Sequence, residues 1–128
     1  MSRYFKVKTF SKWAKNIGCT DEQLVVAINE MKRGLIDANL GSNLYKKRLS
    51  SKGKGKSGGY RVLIAMRINQ NWFFLLGFSK SSQENISKTE LLALRILSNT
   101  YLDMTDNELS ALVEIGRLDE LHGVTDEQ

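Results

Sequence analysis

The chain has 128 residues, with no proline, one cysteine (Cys19) and one histidine (His122). A single cysteine excludes an internal disulfide. With no histidine near it in sequence, Cys19 reads as a small packed residue rather than a nucleophile. One cysteine and one distant histidine give no metal-ligand spacing, and the acids are scattered rather than paired, so neither a metal nor another cofactor is expected. A Ser-His-acid hydrolase would have only His122 to use, in an acidic tail. No apolar run approaches the ~18 residues of a membrane span. The opening MSRYFKVKTF holds no apolar stretch of signal-peptide length. These absences predict a cytoplasmic protein that does not engage a membrane.

Acid is also missing from the most basic part of the chain. Leu44 to Arg67, LYKKRLSSKGKGKSGGYRVLIAMR, carries Lys46, Lys47, Arg48, Lys52, Lys54, Lys56, Arg61 and Arg67 and no Asp or Glu. The asymmetry extends to the whole chain. Residues 1–67 hold 15 Lys and Arg against 4 Asp and Glu (+11), and residues 68–128 hold 4 against 10 (−6), giving the net +5. A cationic half on a sheet whose register fixes side-chain direction points to a polyanion, above all nucleic acid.

Periodicity predicts an α+β chain. Tyr4–Phe10 reads as a short strand or basic arm. Phe10, Trp13, Ala14 and Ile17 have helical spacing, and Gly18 stops that helix. Thr20-Asp-Glu-Gln23 is a capping box opening a helix with Leu24, Ile28, Met31 and Leu35 on one face, ending near Gly34. Asp37–Asn43 reads as a turn, Leu44–Leu49 as a strand, and Ser50–Gly59 as a polar loop. Tyr60–Ile68 alternates clearly as a strand, and Trp72–Phe78 reads as its hairpin partner. Ser87–Glu90 and Thr105–Glu108 are two more capping boxes, and Arg117–Leu121 could add a strand. The predicted architecture is N-terminal helices on a small antiparallel sheet followed by one or two C-terminal helices. It forms one domain over 1–128, with a core of 1–103 and a helical, acidic segment of 104–128.

Gly53–Ser57, GKGKS, lacks the earlier glycine of a phosphate-binding loop and leads into a strand, which argues against nucleotide binding. The remaining chemistry is that of cations. Arg48, Arg61, Arg67 and Lys80 can line one face of the sheet near strand ends. An arginine fork binds phosphate with two bonds and stabilises charge that builds in a transition state. RNA supplies its own nucleophile, the 2′-hydroxyl, so orientation and handling of charge and protons suffice. Trp72, Phe73, Phe74 and Phe78 read as core, and Tyr60 and Tyr45 as the better candidates to stack on bases.

The segments FSKWAK (10–15), AINEMKRGLIDANLG (27–41), LYKKRL (44–49), GKGKSGGYRVLIA (53–65), WFFLLGFSK (72–80), ENISKTEL (84–91) and TDNELSALVEIGRLDEL (105–121) closely resemble the RelE/HigB superfamily of bacterial toxins, in the branch with a KSGGYR core and a GF-x-K strand end. The resemblance covers nearly the whole chain. It implies a RelE-like α+β fold and an endoribonuclease that cleaves messenger RNA, in many members only on the ribosome. The implied chemistry is 2′-hydroxyl attack giving a 2′,3′-cyclic phosphate and a 5′-hydroxyl. The implied partners are mRNA and a cognate antitoxin, often a helix-turn-helix protein in the HigA style, with operator DNA bound only through that antitoxin. Residue by residue, the arginine of the GGYR motif falls on Arg61, the principal phosphate ligand, and the cation after the GF strand falls on Lys80. The basic strand falls on Lys46, Lys47 and Arg48, with Arg48 and Lys46 sharing a face and joining the catalytic set. Lys47, Lys54, Lys56, Tyr60 and Arg67 are the expected RNA contacts. Relatives often place a tyrosine or histidine near the C-terminal end as a proton donor or acceptor; here Asn85 follows the strand, with Tyr101 and His122 later, so the general base is unassigned. The alternative is a non-catalytic nucleic-acid or ribosome-binding inhibitor, or a transcriptional co-regulator. A DNA regulator acting alone fits less well, since the bases lie on strands and loops rather than on a recognition helix.

Overall fold

The computed structural model describes residues 2–51, 55–80 and 86–125, with only the backbone described for residues 50–51 and 55–58. The chain runs β1 (Tyr4–Val7), α1 (Lys8–Ile17), α2 (Asp21–Lys32), β2 (Ala38–Asn39), β3 (Leu44–Ser51), β4 (Gly55–Met66), β5 (Trp72–Ser79), α3 (Lys88–Leu102), α4 (Asp106–Glu114) and β6 (Leu118–Leu121). This is the α+β class the sequence predicts. All three capping boxes form: Thr20 with Gln23, Ser87 with Glu90 and Thr105 with Glu108. Each satisfies two backbone donors at a helix start that have no partner inside the helix.

The strands make one sheet in the order β2-β3-β4-β5-β1-β6. It is mixed rather than wholly antiparallel, because β1 inserts between β5 and β6 and pairs parallel with β5. That slot needs a strand buried on both faces, and Tyr4, Phe5 and Val7 are all buried there. Phe5 stacks on Phe73, and the Trp72 N–H donates to the Arg3 carbonyl. The polar segment read as a loop over Ser50–Gly59 is shorter than expected. The β3–β4 ladder continues past a bulge to Ser51 opposite Gly55, since backbone pairing needs no apolar side chains. The turn at Asp37–Asn43 likewise contains β2, paired with Tyr45 and Lys46.

Register decides what each face carries. Val62 lies opposite Lys47 and Gly77, and Ile64 opposite Tyr45 and Phe74. These residues, with Tyr60, meet α1 and α2. Phe10 packs on Phe74, and Trp13 lies edge-on to Tyr60. Gly77 has no side chain because the Trp13 ring occupies that space; a Cβ there would fall well inside contact distance of the ring. The other face carries Lys46, Arg48, Arg61, Leu63, Leu76 and Phe78. One extra residue on β5, Leu75, sits between the pairs Leu63–Leu76 and Ile64–Phe74. This bulge resets the alternation, so that Phe73 turns to the second face and stacks on Tyr101 of α3. Helix α3 covers part of that face, with the Ser98 hydroxyl donating to the Ser42 carbonyl and the Arg95 Nε–H to the Leu40 carbonyl.

Candidate nucleic-acid interface

Arg48 and Arg61 are directly opposite across β3 and β4. Such a pair brings Cα atoms to about 4.5–5.5 Å, and like charges in that position repel. Lys46 is two residues along β3 from Arg48, on the same face. Phe78 is the β5 partner of Arg61, and Lys80 follows just past the strand end, where its N–H reaches the Gly59 carbonyl at 3.5 Å. The structure therefore brings together the four residues the sequence assigned to catalysis: Arg61, Arg48, Lys46 and Lys80.

Their wiring differs. Arg61 is partly buried, and its Nη1 is a buried donor with no hydrogen-bond partner among the described residues. Among the described residues, no acid is in ion-pair range of Arg61, Lys46 or Lys80. Leaving a charged donor buried and unpaired costs on the order of 1–3 kcal/mol or more, so the Nη1 calls for a partner such as water or an anion. Arg48 is 44% exposed at its side chain and is held by Asp37. The Arg48 Nε–H donates to one carboxylate oxygen at 2.9 Å and its backbone N–H to the other at 2.7 Å. Burial alone would raise the Asp37 pKa; the two bonds from Arg48 outweigh it and hold the carboxyl below its usual range. The sequence reading passed over Asp37. Its signal was position: it is the sole acid between Glu30 and Glu84, just ahead of the basic strand.

Three of the expected RNA contacts lie elsewhere. Lys47 faces α2, is 2% exposed, forms an ion pair with Glu30 at 2.8 Å and donates to the Leu35 carbonyl. It is a core residue, and the expectation that it contacts RNA is withdrawn. Tyr60 and Tyr45 share the helix face, on the side opposite Arg61, so neither stacks beside that arginine. Arg67 keeps the parity of Arg61 but sits six residues along, roughly 20 Å away, and donates to Asp103 at the end of α3. Lys54 lies outside the described residues, and for Lys56 only the backbone, in β4, is described. Tyr101 is half-buried against Phe73, and burial raises its pKa. Burial also pushes the Cys19 thiol up to about 11, away from thiolate chemistry. A groove of about 630 Å³ opens on the helix side of the sheet, between Met31, Tyr45, Met66, Ile68 and Trp72. It shares no residue with the cationic cluster.

Among the described residues no helix is long and apolar enough to cross a membrane. The cluster is a cationic sheet face that α3 partly covers, carried among the described residues by a four-helix, six-strand α+β scaffold. A family model for the RelE toxin of the RelE/RelB toxin-antitoxin system matches residues 2–121. The chain belongs to that family and is the toxin of a toxin-antitoxin system, with a cognate antitoxin as its partner. No curated protein matches it.

Proposed function

We propose that the chain is an endoribonuclease that inhibits translation by cleaving messenger RNA on the ribosome, without a metal. The observation that carries this reading is the part-buried Arg61 guanidinium, its Nη1 without a partner among the described residues, facing Arg48 on an acid-poor sheet face. A phosphodiester laid across these strands would accept from both arginines and relieve their repulsion. In the reaction the 2′-oxygen attacks phosphorus and the bond to the 5′-oxygen breaks. The 2′-hydroxyl proton leaves as the 5′-oxygen gains one, giving a 2′,3′-cyclic phosphate and a 5′-hydroxyl. Negative charge accumulates on the non-bridging oxygens, and Arg61 is the ligand that stabilises it. Lys46 and Lys80 add point charges that hold the flanking backbone, and Lys54 and Lys56 would extend the contact to substrate or ribosome. The antitoxin is proposed to be a helix-turn-helix protein that carries any operator binding.

The test is to add purified protein to a cell-free translation reaction and map new 5′ ends on the message, beside Arg61→Ala and ribosome-free RNA. Codon-phased cuts that vanish in the variant and without ribosomes are expected. Cuts on free RNA as well would make the protein an autonomous ribonuclease. Halted translation on an intact message would sink the nuclease reading and leave a binding inhibitor.

A further inference from the structure

Asp37 is an acid at the edge of a site built to hold an anion, and for binding alone it is unfavourable, because it repels phosphate. Its geometry explains its presence. Strand β2 ends its pairing at Ala38 opposite Lys46, and the Asp37 N–H then donates to the Lys46 carbonyl at 3.0 Å. Beyond that point the Asp37 carboxylate takes the place of a strand neighbour and receives the Arg48 N–H. Its other oxygen holds the Arg48 guanidinium by Nε. A guanidinium is planar and can offer an anion either its Nε edge or its two-Nη end. Engaging Nε restrains the guanidinium, and its two-Nη end has no partner among the described residues.

We infer that Asp37 is a positioning residue, which aims the Nη end of Arg48 at the phosphate bound by Arg61. The inference rests on the endoribonuclease reading and adds to it a residue that never touches RNA. It predicts two effects of opposite sign. Asp37→Asn removes a charge that repels RNA, so RNA binds more tightly. The amide has one accepting oxygen for the two Arg48 donors, so the fork loses its fixed direction and cleavage slows. Loss of the edge structure alone would weaken both.

The experiment measures binding to mRNA-programmed ribosomes and single-turnover cleavage on the same ribosomes for wild type, Asp37→Asn, Arg48→Ala and the double variant, with thermal unfolding of each. Asp37→Asn is expected to bind ~2–5-fold more tightly, from one fewer repulsive charge. Its saturated cleavage rate is expected to fall ~10-fold or more, the scale of a misaimed catalytic group. In the Arg48→Ala background the rate effect of Asp37→Asn should disappear. Unchanged cleavage, or binding and cleavage falling together, would overturn the inference. Should Asp37→Asn not fold, Asp37→Glu asks the same question: it keeps the charge but displaces the carboxylate from Arg48, and should leave binding unchanged while slowing cleavage ~10-fold. Failure of the wild type to cleave would defeat the endoribonuclease reading first and this inference with it, which separates the two failures.

Discussion

Lys46 and Lys47 are adjacent in sequence and have nothing else in common. Lys47 points into the helix side of the sheet, where Glu30 and the Leu35 carbonyl satisfy it out of reach of water. Lys46 points to the open side, beside Arg48 and across from Leu63, with no partner among the described residues. The same split runs through the sheet. On the helix face Tyr60 meets Trp13 and Gly77 makes room for that ring. On the other face Arg61 keeps a buried nitrogen with no partner among the described residues. The helix face uses its buried lysine for folding, while the other face ties Arg48 to Asp37 and Arg67 to Asp103 but leaves Arg61 and Lys46 without an acid among the described residues, so a count of bases in the sequence overstates the binding surface. The same holds for Arg3, whose guanidinium is shared between Glu120 and Asp106 and ties β1 to β6 and α4.

The sharpest way to break the comparison is to remove the buried cation. Lys47→Ala takes the Lys47 ion pair from the part-buried Glu30 and a donor from the Leu35 carbonyl, and breaking a pair with one fully buried member costs ~3 kcal/mol, the low end of the range for buried pairs. Chemical denaturation should show a loss of that size, with Lys46→Ala within ~0.5 kcal/mol of wild type. Equal losses from the two variants would erase the distinction between the faces.

Arg61→Ala reverses the pattern. Removing an arginine whose Nη1 has no partner among the described residues should leave stability unchanged or raise it. Cleavage in the translation assay should fall ~10²–10³-fold, the scale of losing one transition-state donor. A destabilised Arg61→Ala protein would mean that this arginine is structural after all.

The legible parts of this fold are local. A capping box is written within four residues, and all three were readable as such. Alternation in β4 put Arg61 and Val62 on opposite sides, and parity in β3 joined Lys46 to Arg48. What was not legible depends on partners distant in sequence. The insertion of β1 beside β5 and the pairing of Lys47 with Glu30 across α2 leave no local trace. The Leu75 bulge sits in a continuous apolar run, where a reset of parity changes nothing in composition. Asp37 was missed because a carboxylate among cations reads as a turn residue until its oxygens are seen to grip Arg48.

Arg3 gives a pH test confined to the folding side. Its hydrogen bonds hold the Glu120 carboxyl below the usual range against the pull of burial. A group with a lowered folded pKa contributes stability above its unfolded pKa and loses it as pH falls through the folded value. Stability should therefore drop on acidification below about pH 4.5. Glu120→Gln should flatten that drop while costing ~1.5–3 kcal/mol at neutral pH, the range for a hydrogen bond to a charged group. Cleavage at neutral pH should be unaffected while the fold persists. An unchanged acid limb in Glu120→Gln would remove this pair from the account.

The smallest effect separates the two lysines on the binding side. Neutralising one phosphate contact on single-stranded RNA changes the slope of log affinity against log salt by about 0.7. Lys46→Ala should lower the slope by that amount, since Lys46 has no partner among the described residues. Lys80→Ala should do the same, because Lys80 is exposed just past β5. Lys47→Met removes as much formal charge but takes it from a pair already neutral with Glu30. If enough of that variant folds to be titrated, its slope should match wild type. A slope that falls for Lys47→Met as much as for Lys46→Ala would mean that RNA responds to net charge alone, and the open face would lose its claim to be the site.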